Sequence, residues 1–376
     1  MTNGYEVRPY RPGDESEIVQ LLQLVFDGWP NFDLSFPSID HWRWKYLDNP
    51  LKRSYVTVGV SRGDIVGVNH AFTLNVKIGG RTFFCGYASD TAVHPEFRGM
   101  GLSGKIIELK NQFEISAGVH LNLSVTSNPI MLGYQKRNPT MDPFPHEVVN
   151  LVKINDIGLQ LRNIPVKNPL YMRLGFNAAK LINNIRNLTR TKRAPTKNLE
   201  IKTIQAFDER FERFWREISR CHDFIVERGR EYLNWRYCAP RAGNFVVRKV
   251  DDDDGNVLGY SVLALNRSLR DYPIGYLIDL VTLPERNDVA EALVADAVDH
   301  FDLQQVNIVN CLMPRRHPNV GILMKYGFLN SRITLKLFCK YFVMGEAKEG
   351  ISTLSGNRIH FSYGDIDSLP ASARGM

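Results

Sequence analysis

At 376 residues, with 44% hydrophobic and 23% charged side chains, the chain has the composition of a folded soluble protein and the length of two ordinary domains. Its five cysteines are scattered, with no Cys-x-x-Cys pair, which argues for a reducing compartment and against a disulfide framework or a zinc site. The net charge of +7 sits in one place: no acidic residue falls between Asp156 and Glu200, while nine Lys and Arg residues lie from Arg162 to Lys197, so the flanking regions together are slightly acidic.

No apolar run approaches the ~20 residues needed to cross a membrane. The first residues, Met1 to Val7, lack the apolar core of a secretory signal, so a cytoplasmic location is expected.

In chain order, Glu6 to Pro9 reads as a short strand. Asp14 or Ser16 can cap a helix that carries Ile18, Leu21, Leu22 and Val25 on one face. A second helix starts near Asp40, holds Trp42-Arg43-Trp44-Lys45-Tyr46, and stops at Asn49-Pro50; its tryptophans read as packing anchors. Tyr55 to Val60 and Ile65 to Val76 are strands around an Arg62-Gly63-Asp64 turn. Arg81 to Val93, rich in aromatic, Thr and Val residues, is a third.

That strand leads into Asp90-Thr91-Ala92-Val93-His94-Pro95-Glu96-Phe97-Arg98-Gly99-Met100-Gly101-Leu102-Ser103-Gly104, after which Leu102, Ile106, Leu109 and Phe113 recur at helical spacing. The first N–H groups of such a helix lack intrahelical partners and lie at the positive end of its dipole, a setting suited to a phosphate. Gly99 and Gly101 allow a tight turn and close approach of a ligand, and Arg98 adds a cation able to hold phosphate oxygens.

The string Val-x-Pro-x-x-Arg-Gly-x-Gly at a helix start resembles the acyl-CoA signature of the GCN5-related N-acetyltransferase (GNAT) superfamily. Ser103 stands where Gly or Ala is usual, with Gly104 next to it. The following order agrees with that resemblance: a buried strand Val119 to Val125, a helix Asn128 to Asn138, a strand Val148 to Ile154. The resemblance covers about the first 155 residues. It implies that Val93 offers a backbone N–H to the thioester carbonyl, and that Arg98, Gly99, Met100, Gly101, Leu102 and Ser103 hold the pyrophosphate of acetyl-CoA. It also implies that Tyr134 protonates the departing thiolate, although Asn138 and Pro139 replace the Gly-Phe that usually follows. Asp90, on the signature strand, is the candidate general base, with His146 and Glu147 as unranked alternatives.

Residues 156–199 form a basic linker in which Asn168-Pro169 starts a helix carrying Leu170, Leu174, Leu181, Ile182, Ile185 and Leu188; packing between domains is favoured over lying on a membrane surface. From Glu200 the pattern restarts: strand Ile201 to Ile204, helix Phe207 to Cys221, a second Trp-containing helix ending at Pro240, and strands Phe245 to Val250 and Val257 to Leu265. The acidic run Asp251 to Asp254 between them reads as a solvated turn, since it lacks calcium-loop spacing. Tyr276 to Pro284 then repeats Tyr87 to Pro95, with Tyr, Asp and Pro at identical offsets, but Glu285 to Ala290 lacks both glycines and carries Asp288 near the helix start. Met324 to Phe328 resembles a closing motif common in the superfamily, while His360 to Asp367, with its Gly-Asp-x-Asp run, has no assignment.

The expected architecture is therefore α/β (α+β): two tandem GNAT-like lobes, each a mixed, mostly antiparallel central sheet flanked by helices. The expected divisions are 1–155 (intact acyl-CoA loop), 156–199 (basic linker), 200–345 (degenerate lobe) and 346–376 (tail). The expected function is N-acyl transfer from acetyl-CoA, without a metal, to a primary amine of a small molecule. The Trp-Arg-Trp-Lys-Tyr helix also resembles GNAT proteins associated with polysaccharide biosynthesis, which makes an amino sugar a reasonable acceptor. The alternatives are an aminoacyl-tRNA-dependent transferase, which the intact loop disfavours, and a non-catalytic acyl-CoA-binding module. Nucleic acid is not an expected partner, and the sequence is compatible with a homodimer.

Overall fold

A computed structural model of the chain describes residues 4–127, 129–138, 140–162, 199–267 and 272–366. The helix expected from Asn168 lies outside them, as does the end of the tail from 367.

In the first lobe β1 (Glu6–Pro9), β2 (Ser54–Ser61), β3 (Asp64–Ile78) and β4 (Arg81–Val93) form an antiparallel meander, and β5 (Leu121–Thr126) joins β4 in parallel. The β2–β3 turn has positive φ at Arg62 (54°) and Gly63 (100°), the backbone twist that suits a two-residue hairpin. Side chains alternate across β3. His70 meets Trp42 of α2 (Ser38–Tyr46), whereas Gly67 meets Leu102 and Ile106 of α3 (Leu102–Ser116), so the two helices cover opposite faces. α1 (Glu15–Val25) packs against α2 through buried Ile18, Val19, Leu21 and Leu22. Asp14 precedes it without a side-chain cap bond, because its carboxylate is taken by Arg8 and the Arg11 N–H.

Next come α4 (Pro129–Arg137), β6 (Met141–Pro143), β7 (Val148–Ile154) and α5 (Ile157–Arg162). The second lobe contains β8 (Ile201–Ile204), α6 (Arg210–Cys221), β9 (Phe224–Val226), and α7 (Arg230–Leu233, continued by a π-turn, Asn234–Cys238). It continues through β10 (Phe245–Asp251), β11 (Val257–Asn266), β12 (Ile274–Thr282), α8 (Asn287–Leu303), β13 (Ile308–Pro314), α9 (Asn319–Lys325) and β14 (Leu329–Tyr341). α10 (Glu346–Ser352) follows.

All these strands belong to one 14-stranded sheet, ordered β1-β2-β3-β4-β5-β14-β7-β13-β12-β11-β10-β8, with β6 on β14 and β9 on β3. The order is close to a palindrome. β5 is parallel to β4, as β13 is to β12, and each is followed by a strand from the other half of the chain. β14 closes the first lobe against β5, β7 closes the second against β13, and the two exchanged strands pair with each other.

The same two-fold relation appears in the core. Trp44 and Trp235 stack with centroids 4.9 Å apart. The Trp44 indole N–H donates to the Trp235 carbonyl (2.9 Å), and the Trp235 N–H returns the bond to Trp44 (3.1 Å). Such a pair contributes about 0.5–1.5 kcal/mol beyond its buried area, and each bond about 1 kcal/mol net. The tryptophans are thus anchors between lobes, and one apolar core runs through both.

Candidate active site

The site is built where β4 and β5 part. Their parallel pairing runs from Cys85 with Leu121 to Tyr87 with Leu123 and stops. Beyond it β4 stays paired to β3, while β5 follows β14, so among the described residues one edge of β4 from Ala88 to Val93 is left without a strand partner. The register on β3 slips between Val68 and His70, which makes a β-bulge at Asp90–Thr91, and Asp90 itself has φ of +36°. Past the bulge, the His94 N–H donates to Val66 on β3 (2.9 Å). Alternation along the strand therefore turns the Val93 N–H to the opposite side, the edge that β5 has left.

After Val93 the chain makes a 3₁₀ turn, Pro95–Phe97, and then the glycine loop. Gly99 and Gly101 both have φ of +78°, and a Cβ at either position would meet nothing within 4 Å. They are needed for the turn itself. Gly101 is the N-cap of α3, so no side chain caps the helix, and no acidic residue lies in its first turn. Leu102 is buried and pins the helix start; Ser103 and Gly104 are exposed. Gly59 and Gly67, opposite each other on β2 and β3, form the hollow that receives Leu102 and Ile106: a Cβ at either would come within 2.6 Å of these side chains. Arg98 is exposed, and its Nε reaches the Val93 carbonyl at 3.4 Å, which joins the loop to the strand end. Exposed Met100 is held through its carbonyl by Tyr5 (3.0 Å). The fold thus gathers Val93 and the run from Arg98 to Ser103 at the open end of the cleft.

Asp90 points the other way, into the core. Its Oδ2 accepts from Lys45 Nζ (2.6 Å) and Tyr46 OH (2.5 Å), both on α2. Its backbone carbonyl accepts from His70 Nδ1 (2.8 Å), while Trp42 Nε1–H donates to His70 Nε2 (3.0 Å), which fixes the neutral tautomer. Burial alone would raise the Asp90 pKa, but Lys45, then His70 and Tyr46, hold it down at about 2. Burial lowers His70 to about 4.

Among the other sequence candidates, Tyr134 lies within α4, and its side chain is outside the described part of the structure. His146 donates Nε2–H to the Leu354 carbonyl (2.9 Å), and Glu147 pairs with Arg315 (2.6 Å), which lowers its pKa. Both precede β7, and β14 stands between that strand and β5. Sequence reasoning missed Lys45 and Tyr46 as the partners of Asp90. The recurrence of Lys/Arg-Tyr after Trp44 and Trp235 was the available signal.

The second lobe carries the same frame, closed. β12 and β13 part after Leu277 with Cys311, and β12 bulges between Leu277 and Asp279. Tyr237 OH donates to Asp279 Oδ2 (3.2 Å), the counterpart of Tyr46 on Asp90. Here, however, the space between the strands is filled by the C-terminal segment. Its 3₁₀ turn Tyr363–Asp365 lies against both β12 and β13. Ser362 Oγ and His360 Nε2 donate to Asp279 Oδ1 (3.0 and 2.9 Å), and Tyr363 OH donates to Asn150 (2.6 Å). Arg228 bridges Asp279 (3.0 Å) and Asp365 (2.9 Å), all three side chains fully buried or nearly so. Burial would raise the Asp279 pKa, yet Arg228 and His360 hold it well below the usual carboxylate range. Arg236, one residue past Trp235 as Lys45 is past Trp44, holds the Gly364 and Ile366 carbonyls (3.0 and 2.7 Å). The helix that follows, α8, has Asp288 in its first turn, paired with Arg286 (2.7 Å).

Comparisons with known proteins bear on the fold. Residues 6–125 match the family model of the acetyltransferase (GNAT) domain. Structures of Saccharomyces cerevisiae N-myristoyltransferase with bound myristoyl-CoA superpose with a TM-score of 0.60 at 11% identity, over 96% of this chain and 86% of the other. A probable N-acyltransferase of Enterococcus faecalis V583 gives 0.58 at 12% identity, covering 90% of this chain and 72% of that one. A GCN5-related N-acetyltransferase from Anabaena variabilis ATCC 29413 gives 0.58 at 13%, covering 89% and 72%. No curated protein sequence matches this one. At these identities the structural matches establish the fold, which extends across both lobes.

Proposed function

We propose that this GNAT-fold chain is an acyl-CoA-dependent N-acyltransferase whose first lobe alone binds the cofactor. One observation carries the reading: the N-terminus of α3, uncapped by any described side chain, opens beside the edge of β4 that no described strand pairs, and on that edge the Val93 N–H faces the cleft. The pyrophosphate of acyl-CoA rests on the N–H groups from Arg98 to Ser103, with the Arg98 guanidinium free to swing from its long contact with Val93. The thioester lies along β4, its carbonyl on Val93.

In the reaction a neutral amine attacks the thioester carbon. A C–N bond forms, the carbonyl becomes an oxyanion held by the Val93 N–H, and the C–S bond then breaks. One such donor contributes on the order of 10²–10³ in rate. The departing thiolate takes a proton from Tyr134, the acid that the family resemblance indicates. Asp90 is assigned a positioning role instead of that of base. Held ionised with a pKa of about 2, it is too weak to deprotonate an ammonium group, and its ion pair with Lys45 secures the bulge that aims the strand end. The acceptor's proton leaves to another group or to water. An amino sugar is the acceptor class to try first, and acetyl the acyl group, with longer chains beside it.

The test is release of free thiol from acetyl-CoA and longer acyl-CoA donors, with and without amino sugars and other primary amines. Amine-dependent release by the wild type, with loss in Tyr134→Phe, supports transfer. Tight acyl-CoA binding without any amine-dependent release identifies a binding module and rejects the enzyme.

A further inference from the structure

We propose that His222, His317 and His360 form a three-histidine site for a divalent first-row cation, Zn²⁺ foremost, which clips the C-terminal segment into the cleft of the second lobe. The three side chains come from three separate elements: the C-cap of α6, the turn before α9, and the tail. A ring nitrogen of each lies within 4.8 Å of one from each of the others. The rings converge on one place, with centroids 5.5 Å apart for His317 and His360, 5.7 Å for His222 and His360, and 6.4 Å for His222 and His317.

Hydrogen bonds on the far side of two rings set their tautomers. His222 donates Nδ1–H to the Ile218 carbonyl (3.1 Å), which leaves the Nε2 lone pair. His360 donates Nε2–H to Asp279 (2.9 Å), which leaves that of Nδ1. A ligand histidine whose other N–H is held by a carbonyl or carboxylate is the usual outer arrangement of a metal site. His317 accepts the Asn319 N–H at Nδ1 (3.2 Å), the longest of these contacts, and whichever nitrogen of His317 binds, that contact is given up. The positive charge nearby on Arg228 is already balanced by Asp279 and Asp365.

Zn–N bonds of about 2.0–2.1 Å in a tetrahedral site set the ligand nitrogens about 3.4 Å apart, so the rings close by about an ångström through side-chain rotation. The site opens on a cavity of about 170 Å³ lined by Leu280 to Glu285, Asn287 and Asn319, which leaves room for water as a fourth ligand. By the repeat of Tyr87–Pro95 in Tyr276–Pro284, this cavity occupies the place in the second lobe that the acyl-CoA loop holds in the first. The frame that in one lobe serves an anion would thus serve a cation in the other.

The test uses the full-length chain stripped with chelator, then titrated with Zn²⁺ against a chromophoric chelator and with Co²⁺ by visible absorption. Expected are one equivalent of Zn²⁺, the intense visible bands of four-coordinate cobalt, and slower hydrogen exchange at Ile359 to Ile366 when Zn²⁺ is bound. His222→Gln and His317→Asn, each checked for an unchanged circular dichroism spectrum, should each lower affinity by more than about 100-fold, since even outer-sphere changes cost 10–100-fold. Substoichiometric binding, or binding that both variants retain, overturns the site; stoichiometric binding without protection of the tail overturns its role as a clip.

Discussion

The two helices that follow the repeated strands, α3 and α8, start at matching places in the two lobes and end up with opposite chemistry. α3 begins after Gly101, with Leu102 and Ser103 as its first residues and no acidic residue in its first turn. α8 begins with Asn287 and Asp288, and Asp288 fills its own helix end with an anion that Arg286 steadies. The clefts behind them differ in the same sense. Among the described residues the first is open along β4, and the second holds the tail from His360 to Ile366. The lesson is that a strand splay and a helix dipole make an anion site only if the chain does not supply an anion and a plug of its own. Asp90 and Asp279 survive in both lobes because each answers to a buried cation and a tyrosine, whatever the cleft contains.

The largest effect expected on this comparison comes from cutting the buried ion pairs. Arg228→Met leaves Asp279 and Asp365 facing each other without their cation, and should cost about 3–5 kcal/mol in denaturant unfolding. Asp90→Asn removes the buried carboxylate that Lys45 and Tyr46 hold and should cost up to a similar amount, while turnover per folded molecule falls by less than the 10²–10⁴-fold expected for loss of a base. A larger loss in the folded fraction would restore Asp90 as the base.

Next in size is a transplant between the helices. Ser103→Asp places in the first lobe the carboxylate that Asp288 supplies in the second. It should weaken acyl-CoA binding on the order of 100-fold or more by like-charge repulsion, yet stabilise the fold by about 0.3–1 kcal/mol through the dipole. Gly101→Ala meets no neighbour, so its cost is only that of a side chain at φ of +78°, about 1–2 kcal/mol in thermal unfolding. A further effect is in acid. Because the folded pKa of Asp90 lies below its usual value of about 3.9, its contribution is present above about pH 4 and is lost as the pH falls toward about 2. The acid limb of a stability–pH curve should be shallower in Asp90→Asn.

Much of this was legible in the sequence, and the rest was not for identifiable reasons. β4, from Arg81 to Val93, and β7, from Val148 to Ile154, could be bounded from composition because each is a dense aromatic or aliphatic run between turn residues. The loop from Arg98 to Ser103 was visible because glycines at positive φ and a helix start are local features. Partner choice was not local. Nothing in Leu329 to Tyr341 says that the strand will leave its own lobe and pair with β5, or that β9 will add to β3. The Gly-Asp-x-Asp run in the tail had no reading until Arg228, far away in the chain, was seen to receive Asp365. Cysteine spacing argued against a zinc site, but spacing is blind to histidines that three distant elements bring together.

The most direct measurement is calorimetric titration of acetyl-CoA and a long-chain acyl-CoA into the wild type, Arg98→Ala and Ser103→Asp. The account predicts one site per chain in the wild type, weakened in Arg98→Ala and weakened on the order of 100-fold or more in Ser103→Asp, with both variants fully folded. Two sites per chain, or unchanged binding in Ser103→Asp, would contradict it.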